Sequence, residues 1–77
     1  MRSDILIAFG TAIRDIRQSK NVSQEKFAEM CGLHRTYISD VELGKRNVSL
    51  ENIEKIASAL NITLPDLFEI VKKNAGI

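Results

Sequence analysis

The chain holds one cysteine, Cys31, and one histidine, His34. A lone cysteine forms no internal disulfide, and these two side chains fall short of the four ligands of a structural zinc site. His34 has no partner constellation that would make it an acid, a base or an aid to a nucleophile. Paired acid and base, metal cluster and phosphate-cradling glycine loop are equally missing from the sequence. Enzyme chemistry is therefore set aside, and neither metal nor cofactor is expected. What remains is a run of short, polar and cationic side chains: Arg35, Thr36 and Ser39, then Lys45 and Arg46. Such groups donate hydrogen bonds and pair charges, which is the chemistry of binding.

The elements that position them are short helices. The only proline is Pro65, strand-type alternation is absent, and five segments carry helical spacing. The first spans about Asp4 to Lys20, with Ile5, Phe9, Ile13 and Ile16 on one face, Ser3 or Asp4 as cap and Asn21 in the closing turn. The second starts at the N-cap Ser23, carries Glu25 in its first turn, buries Phe27, Ala28 and Cys31, and stops at Gly32. The third runs from about Arg35 to Leu43, with Ile38 and Val41 inward and Gly44 at its end. The fourth follows Ser49 and shows Leu50, Ile53, Ile56, Ala57 and Leu60 on its apolar side. The fifth has Thr63 as N-cap, Asp66 three residues on, and Pro65 where a missing N–H does no harm. Short connections between five helices predict a compact all-α bundle in a single domain spanning residues 1–77.

Composition narrows the class further. A chain of 77 residues buries only about 60% of the surface it exposes unfolded, so an enclosed active site is not expected and a second copy would add stability. The formal charge of +1 neither predicts nor excludes nucleic acid, so a basic footprint must come from local placement. A hydrophobic content of 44% is too high for a disordered tail. The longest apolar run, Ile5 to Phe9, is too short for a membrane span or a signal-peptide core. A cytoplasmic domain without membrane contact is expected.

The most informative spacing lies between Gln24 and Leu43. Two helices meet at Cys31-Gly32-Leu33-His34, a turn of helix-turn-helix length. Phe27, Cys31, Leu33, Ile38 and Val41 fall on inward positions, and the small Ala28 lets the second helix cross closely. Together these constraints fit two helices packed at a steep angle, with the outer face of the later one left polar.

With those residues in view, the chain resembles helix-turn-helix domains of the Cro and phage-repressor type, the XRE family. The resemblance covers about Phe9 to Phe68, through IRDIRQSKNVSQEKFAEMCGL, TYISDVELGKRNVSLENIEKIASAL and LPDLF. HRTYISDVELGKRNVSL is most similar to the controller proteins of restriction–modification systems. The resemblance implies a five-helix lambda-repressor-like fold, with the helix-turn-helix at about 24–43 and a dimerisation region at about 60–77. It also implies a transcriptional regulator that governs its own operon and the endonuclease gene.

In that family the third helix enters the major groove, where each base pair shows a distinct pattern of donors and acceptors. Arg35, Thr36, Ser39 and Asp40 are then the base readers. Arg35 suits the O6 and N7 of guanine, Thr36 offers a methyl or a hydroxyl, and Ser39 allows close approach. The Asp40 carboxylate either accepts from a cytosine amine or excludes wrong sequences. Gln24, Tyr37, Lys45, Arg46 and Asn47 are implied backbone contacts, which set register rather than sequence. His34 either joins them or is simply a turn residue. Arg17 and Glu42 lie at the edges of apolar stripes, where a charge needs a partner, and the family pairs their equivalents. Cys31 reads as a small buried hydrophobe.

One short helix reads few base pairs, and symmetric dimers read two half-sites. The surplus apolar surface of Leu60, Ile62, Leu64, Leu67, Phe68, Ile70 and Val71, with Ile77 nearby, is the expected homodimer interface on a pseudo-palindromic DNA operator. Two dimers on one operator and a contact with RNA polymerase, through Glu25 and Glu29, are further expectations of the subfamily. A plain repressor or an antitoxin-type autoregulator would share this logic. A protein-interaction module that binds no DNA is the rival class, favoured only by the near-neutral charge.

Overall fold

The computed structural model describes the backbone of residues 4–76 and side chains from Ile5 to Gly76. Five helices follow in order: α1 Asp4–Ser19, α2 Gln24–Cys31, α3 Arg35–Glu42, α4 Leu50–Ala59 and α5 Leu64–Ala75. No strand occurs among the described residues. The cap expected of Ser3 or the Asp4 side chain, and the contact expected of Ile77, fall outside the described part.

Local chemistry sets the helix ends. Ser23, Ser49 and Thr63 each accept a hydrogen bond from the backbone N–H three residues on, satisfying a donor that the first turn cannot use. Asn21 closes α1 and Asn61 closes α4 with positive φ values of 58° and 55°, a conformation asparagine tolerates better than most residues. Gly32, at φ 70°, ends α2 in the left-handed conformation predicted for it.

The helices enclose a core whose largest fully buried side chains are Phe27, Ile13, Ile38, Ile56, Leu60, Leu67, Val41 and Val71. α1 lies along α5 and also touches α3, while α2 packs on α3 and α4. Two expected core positions are outside it. Leu50 is 82% exposed and Ile5 is 44% exposed. Both belong to the first turns of their helices, which run past the neighbours that would cover them, although each continues its apolar stripe in register.

Gly10 explains how α1 reaches α3. A Cβ there would lie 2.3 Å from the Val41 carbonyl oxygen and 2.6 Å from that of Glu42. The two backbones approach as closely as they do only because position 10 has no side chain.

Candidate nucleic-acid interface

The position of α3 is set at its C-terminal end. Glu42 is buried and meets Arg17 of α1 in a two-point pair, Nε to Oε2 at 2.7 Å and Nη2 to Oε1 at 3.0 Å. Arg17 Nη1 also donates to the Val22 carbonyl at 2.7 Å. The pairing expected of these two residues is present, and it joins α1, the α1–α2 turn and α3. A buried charge pair requires such hydrogen bonds to offset the loss of water.

From that anchor α3 carries its polar side outward. Arg35 and Thr36 in the first turn are exposed and have no side-chain partner among the described residues, whereas Ser39 and Asp40 are half-buried. His34 occupies the N-cap position with extended backbone and makes no capping bond. It is an exposed turn residue.

Beside this face lies an array that the sequence did not reveal. Tyr37 is half-buried, and its hydroxyl accepts a hydrogen bond from Asn52 Nδ2 of α4 at 3.0 Å. The Arg46 guanidinium lies 5.1 Å from the centre of the Tyr37 ring, within cation–π range. Arg46 Nε also stands 3.6 Å from Asp40 Oδ2. Asn52, Tyr37, Arg46 and Asp40 thus connect α4, α3 and the loop between them. Lys45 and Asn47 in that loop are exposed.

Two of the expected contact residues have partners within the chain. Gln24 is half-buried and donates through Nε2 to Glu42 Oε1 at 3.0 Å, so in the free protein one amide N–H serves the scaffold. In the free protein the Asp40 carboxylate faces Arg46. Asn52 and Gly10 are structural supports of α3 that sequence reasoning missed. The Asn52–Tyr37 bond spans 15 residues, a separation that no local pattern reports.

The expected dimer surface divides in two. Leu60, Leu67 and Val71 are at most 2% exposed. They fill the protomer's own core and offer nothing to a partner. Leu64 and Phe68 remain 41% and 40% exposed, beside half-buried Ile62 and Ile70. Phe68 also rests against Phe9, with ring centroids 6.2 Å apart.

Cys31 is buried as expected, and loss of solvent pushes its thiol up to about 11. It is held protonated and is a poor nucleophile. No group of three or more His, Cys, Asp or Glu able to hold a metal occurs among the described residues. None of the described helices is long and apolar enough to cross a membrane.

A polar-faced helix held by a buried ion pair, with a close-packed helix before it, defines a DNA-binding type of module. Residues 13–67 match the helix-turn-helix family model, and the chain belongs to that family. Within it, the chain is similar to the control proteins of restriction–modification systems. It is 57% identical over 70 residues to control protein C.BamHI of Bacillus amyloliquefaciens, covering 90% of this chain and 86% of that one. Control protein C.MunI of a Mycoplasma species is 50% identical over 72 residues, covering 92% and 97%. Among solved structures, the restriction–modification controller protein C.AhdI from Aeromonas hydrophila superposes with a TM-score of 0.79 at 49% identity, over 82% of this chain and 96% of that one. The controller protein C.Esp1396I, solved as a tetramer on its natural 35 base-pair operator, gives a TM-score of 0.89 at 32% identity. That match covers 97% of this chain and 99% of the other. The helix-turn-helix and five-helix expectations are met.

Proposed function

We propose that this chain is a sequence-specific transcriptional regulator, a restriction–modification controller acting as a homodimer on a two-fold symmetric operator. It governs its own operon and the endonuclease gene. The observation that carries this reading is the exposed first turn of α3. Arg35 and Thr36 project there without side-chain partners among the described residues, while Glu42 at the far end is locked to Arg17. A rigid helix with unspent donors at its tip suits the edges of bases in a major groove.

In this reading Arg35 and Thr36 select bases, with Ser39 beside them. Tyr37, Lys45, Arg46 and Asn47 engage phosphates and set the register. The Tyr37 hydroxyl accepts from Asn52, so its own proton is available to a phosphate oxygen. Gln24 offers the backbone its second amide N–H, the first being given to Glu42, together with the N-terminus of α2. The chain works as one domain over residues 1–77, with recognition in 24–43 and self-association in 60–77. Leu64, Phe68 and Ile62 supply the surface for a second copy. The similarity to a protein seen as a tetramer on its operator supports two dimers side by side on DNA. Glu25 is the acid available to RNA polymerase, since Glu29 is shared with Lys26 at 3.3 Å. Such a regulator acts in the cytoplasm and needs no cofactor.

The test is selection from a random duplex pool at roughly physiological salt, followed by sequencing of the bound fraction. Enrichment of a two-fold symmetric motif is expected. A pool that returns unenriched would favour the protein-interaction reading, for which the near-neutral charge of +1 is the supporting feature.

A further inference from the structure

Asp40 is the one acid on the outward side of α3 between Arg35 and Val41. A carboxylate there works against phosphate binding, and its partner is not a base or a lysine of its own helix. It faces Arg46, the cation of the following loop, at 3.6 Å. The side chains are 31% and 50% exposed respectively, so the pair is open to solvent and can be broken. Arg46 is held on a second side by the Tyr37 ring, at 5.1 Å. Tyr37 stands three residues before Asp40, so the two lie on the same face of α3.

We propose that Asp40 moderates DNA affinity by acting through Arg46, as a built-in substitute for a DNA phosphate. The proposal rests on the DNA-binding reading above. In the free protein the carboxylate occupies the guanidinium. Binding to any duplex must then exchange this internal pair for a pair with a phosphate. This cost falls equally on every sequence. It lowers affinity for bulk DNA and operator alike, and leaves the ratio between them to contacts that only the operator supplies, such as those of Arg35 and Thr36. For a chain whose charges nearly cancel, with 11 basic and 10 acidic side chains, one such pair alters a substantial part of the local charge offered to DNA.

The experiment compares the full chain with Asp40→Asn, Arg46→Gln and the double variant on a duplex of arbitrary sequence and on the selected operator. Anisotropy is recorded at several salt concentrations, and circular dichroism checks that each variant is folded. Asp40→Asn is expected to tighten binding to both duplexes by about two- to fivefold, the range an exposed ion pair is worth. It should also steepen the salt dependence, because more counterions are released. In the Arg46→Gln background the same change should alter affinity by less than about 1.5-fold, within the error of a vanishing pair term. A gain that persists undiminished without Arg46 would overturn the proposal, since Asp40 would then act by general repulsion. Weaker binding of Asp40→Asn to every duplex would also overturn it and make the carboxylate a support for Arg46. Loss confined to the selected operator would instead make Asp40 a base reader. Failure of the DNA-binding reading looks different, because the unmodified chain would then bind no duplex even at low salt.

Discussion

Replacing Gly10 by alanine tests whether the docking of α1 sets the position of α3. The added methyl would stand 2.3 Å from the Val41 oxygen, 2.6 Å from the Glu42 oxygen and 2.8 Å from the Glu42 carbonyl carbon. Comfortable contacts of this kind are about 3.5 Å, so the helices must part by roughly 1 Å. The obstructing atoms are backbone, and no side-chain rotation relieves them. Overpacking of this sort costs about 1–3 kcal/mol, while alanine returns about 0.5–1 kcal/mol as the better helix former. With backbone atoms as the obstruction the cost lies at the upper end, so the net loss is about 2–2.5 kcal/mol, and at about 4–8 °C per kcal/mol for a domain of this size the midpoint falls by roughly 8–20 °C. Because the displaced atoms belong to the last turn of α3, operator affinity should also fall at least about tenfold at temperatures where the variant is fully folded, binding sites being sensitive to errors above about 0.5 Å. Thermal melts by circular dichroism and anisotropy titrations would be run beside Arg14→Ala, an exposed control on α1. A midpoint within 2 °C of the unmodified chain would, by the melting scale just used, refute the close approach. A lowered midpoint with unchanged affinity would refute the claim that this contact positions the recognition helix.

Arg35→Ala should keep the fold and lose about 1–3 kcal/mol on the selected operator, with relaxed preference at one base pair; unchanged affinity and preference would remove Arg35 from the reading set. Leu64→Asp should yield monomers in sedimentation and weaken operator binding, whereas a dimer that persists would place the interface elsewhere. Leu64 is the better probe than Phe68, which also packs on Phe9. Cys31 should react with a thiol reagent at pH 8 about 100-fold more slowly in the folded chain than in denaturant, given a thiol raised from 9.0 to about 11. The sign follows for stability: the unfolded chain releases this proton first, so the contribution is whole below about pH 9 and is lost as pH rises toward about 11. Equal reaction rates in both states would show that the thiol is not buried.

Features that depend on neighbours in sequence were legible before any coordinates. Ser23 and Thr63 cap their helices as expected, because a cap is a contact across three residues, and Ser49 does the same for α4. Gly32 ends α2 for the same local reason. Leu50 misleads because periodicity gives the direction of a side chain but not whether a neighbour extends far enough to cover it. Leu60, Leu67 and Val71 mislead in the opposite sense: the arc of apolar residues on α5 is wide, yet α1 packs along it and takes much of that arc. The Arg17–Glu42 pair was reached through the family resemblance and the edges of two stripes. Gln24 joining the same carboxylate was not, since a glutamine at a helix start has an equally good reading in solvent or on a phosphate. Gly10 carries no local signal at all, because its reason is the backbone of a helix some thirty residues later.

The distribution of contacts along α3 has a mechanical consequence. Two of its fixed points, Val41 against Gly10 and Glu42 against Arg17, sit in the last turn, Tyr37 is bonded to Asn52 nearer the start, and Arg35 and Thr36, the proposed readers, stand unpaired in the first turn. Seven residues at about 1.5 Å each separate the two ends by roughly 10 Å. A tilt of about 6° at the anchor therefore moves the reading tip by about 1 Å, beyond the tolerance of a two-point hydrogen bond to a base. This is a reason for a buried, two-point ion pair where a hydrophobic contact would give comparable stability. A greasy contact resists separation but little resists rotation, whereas a guanidinium fork on a carboxylate fixes an angle. Ile38 and Val41 hold α3 to the bundle; Arg17 and Glu42 fix the direction in which Arg35 points.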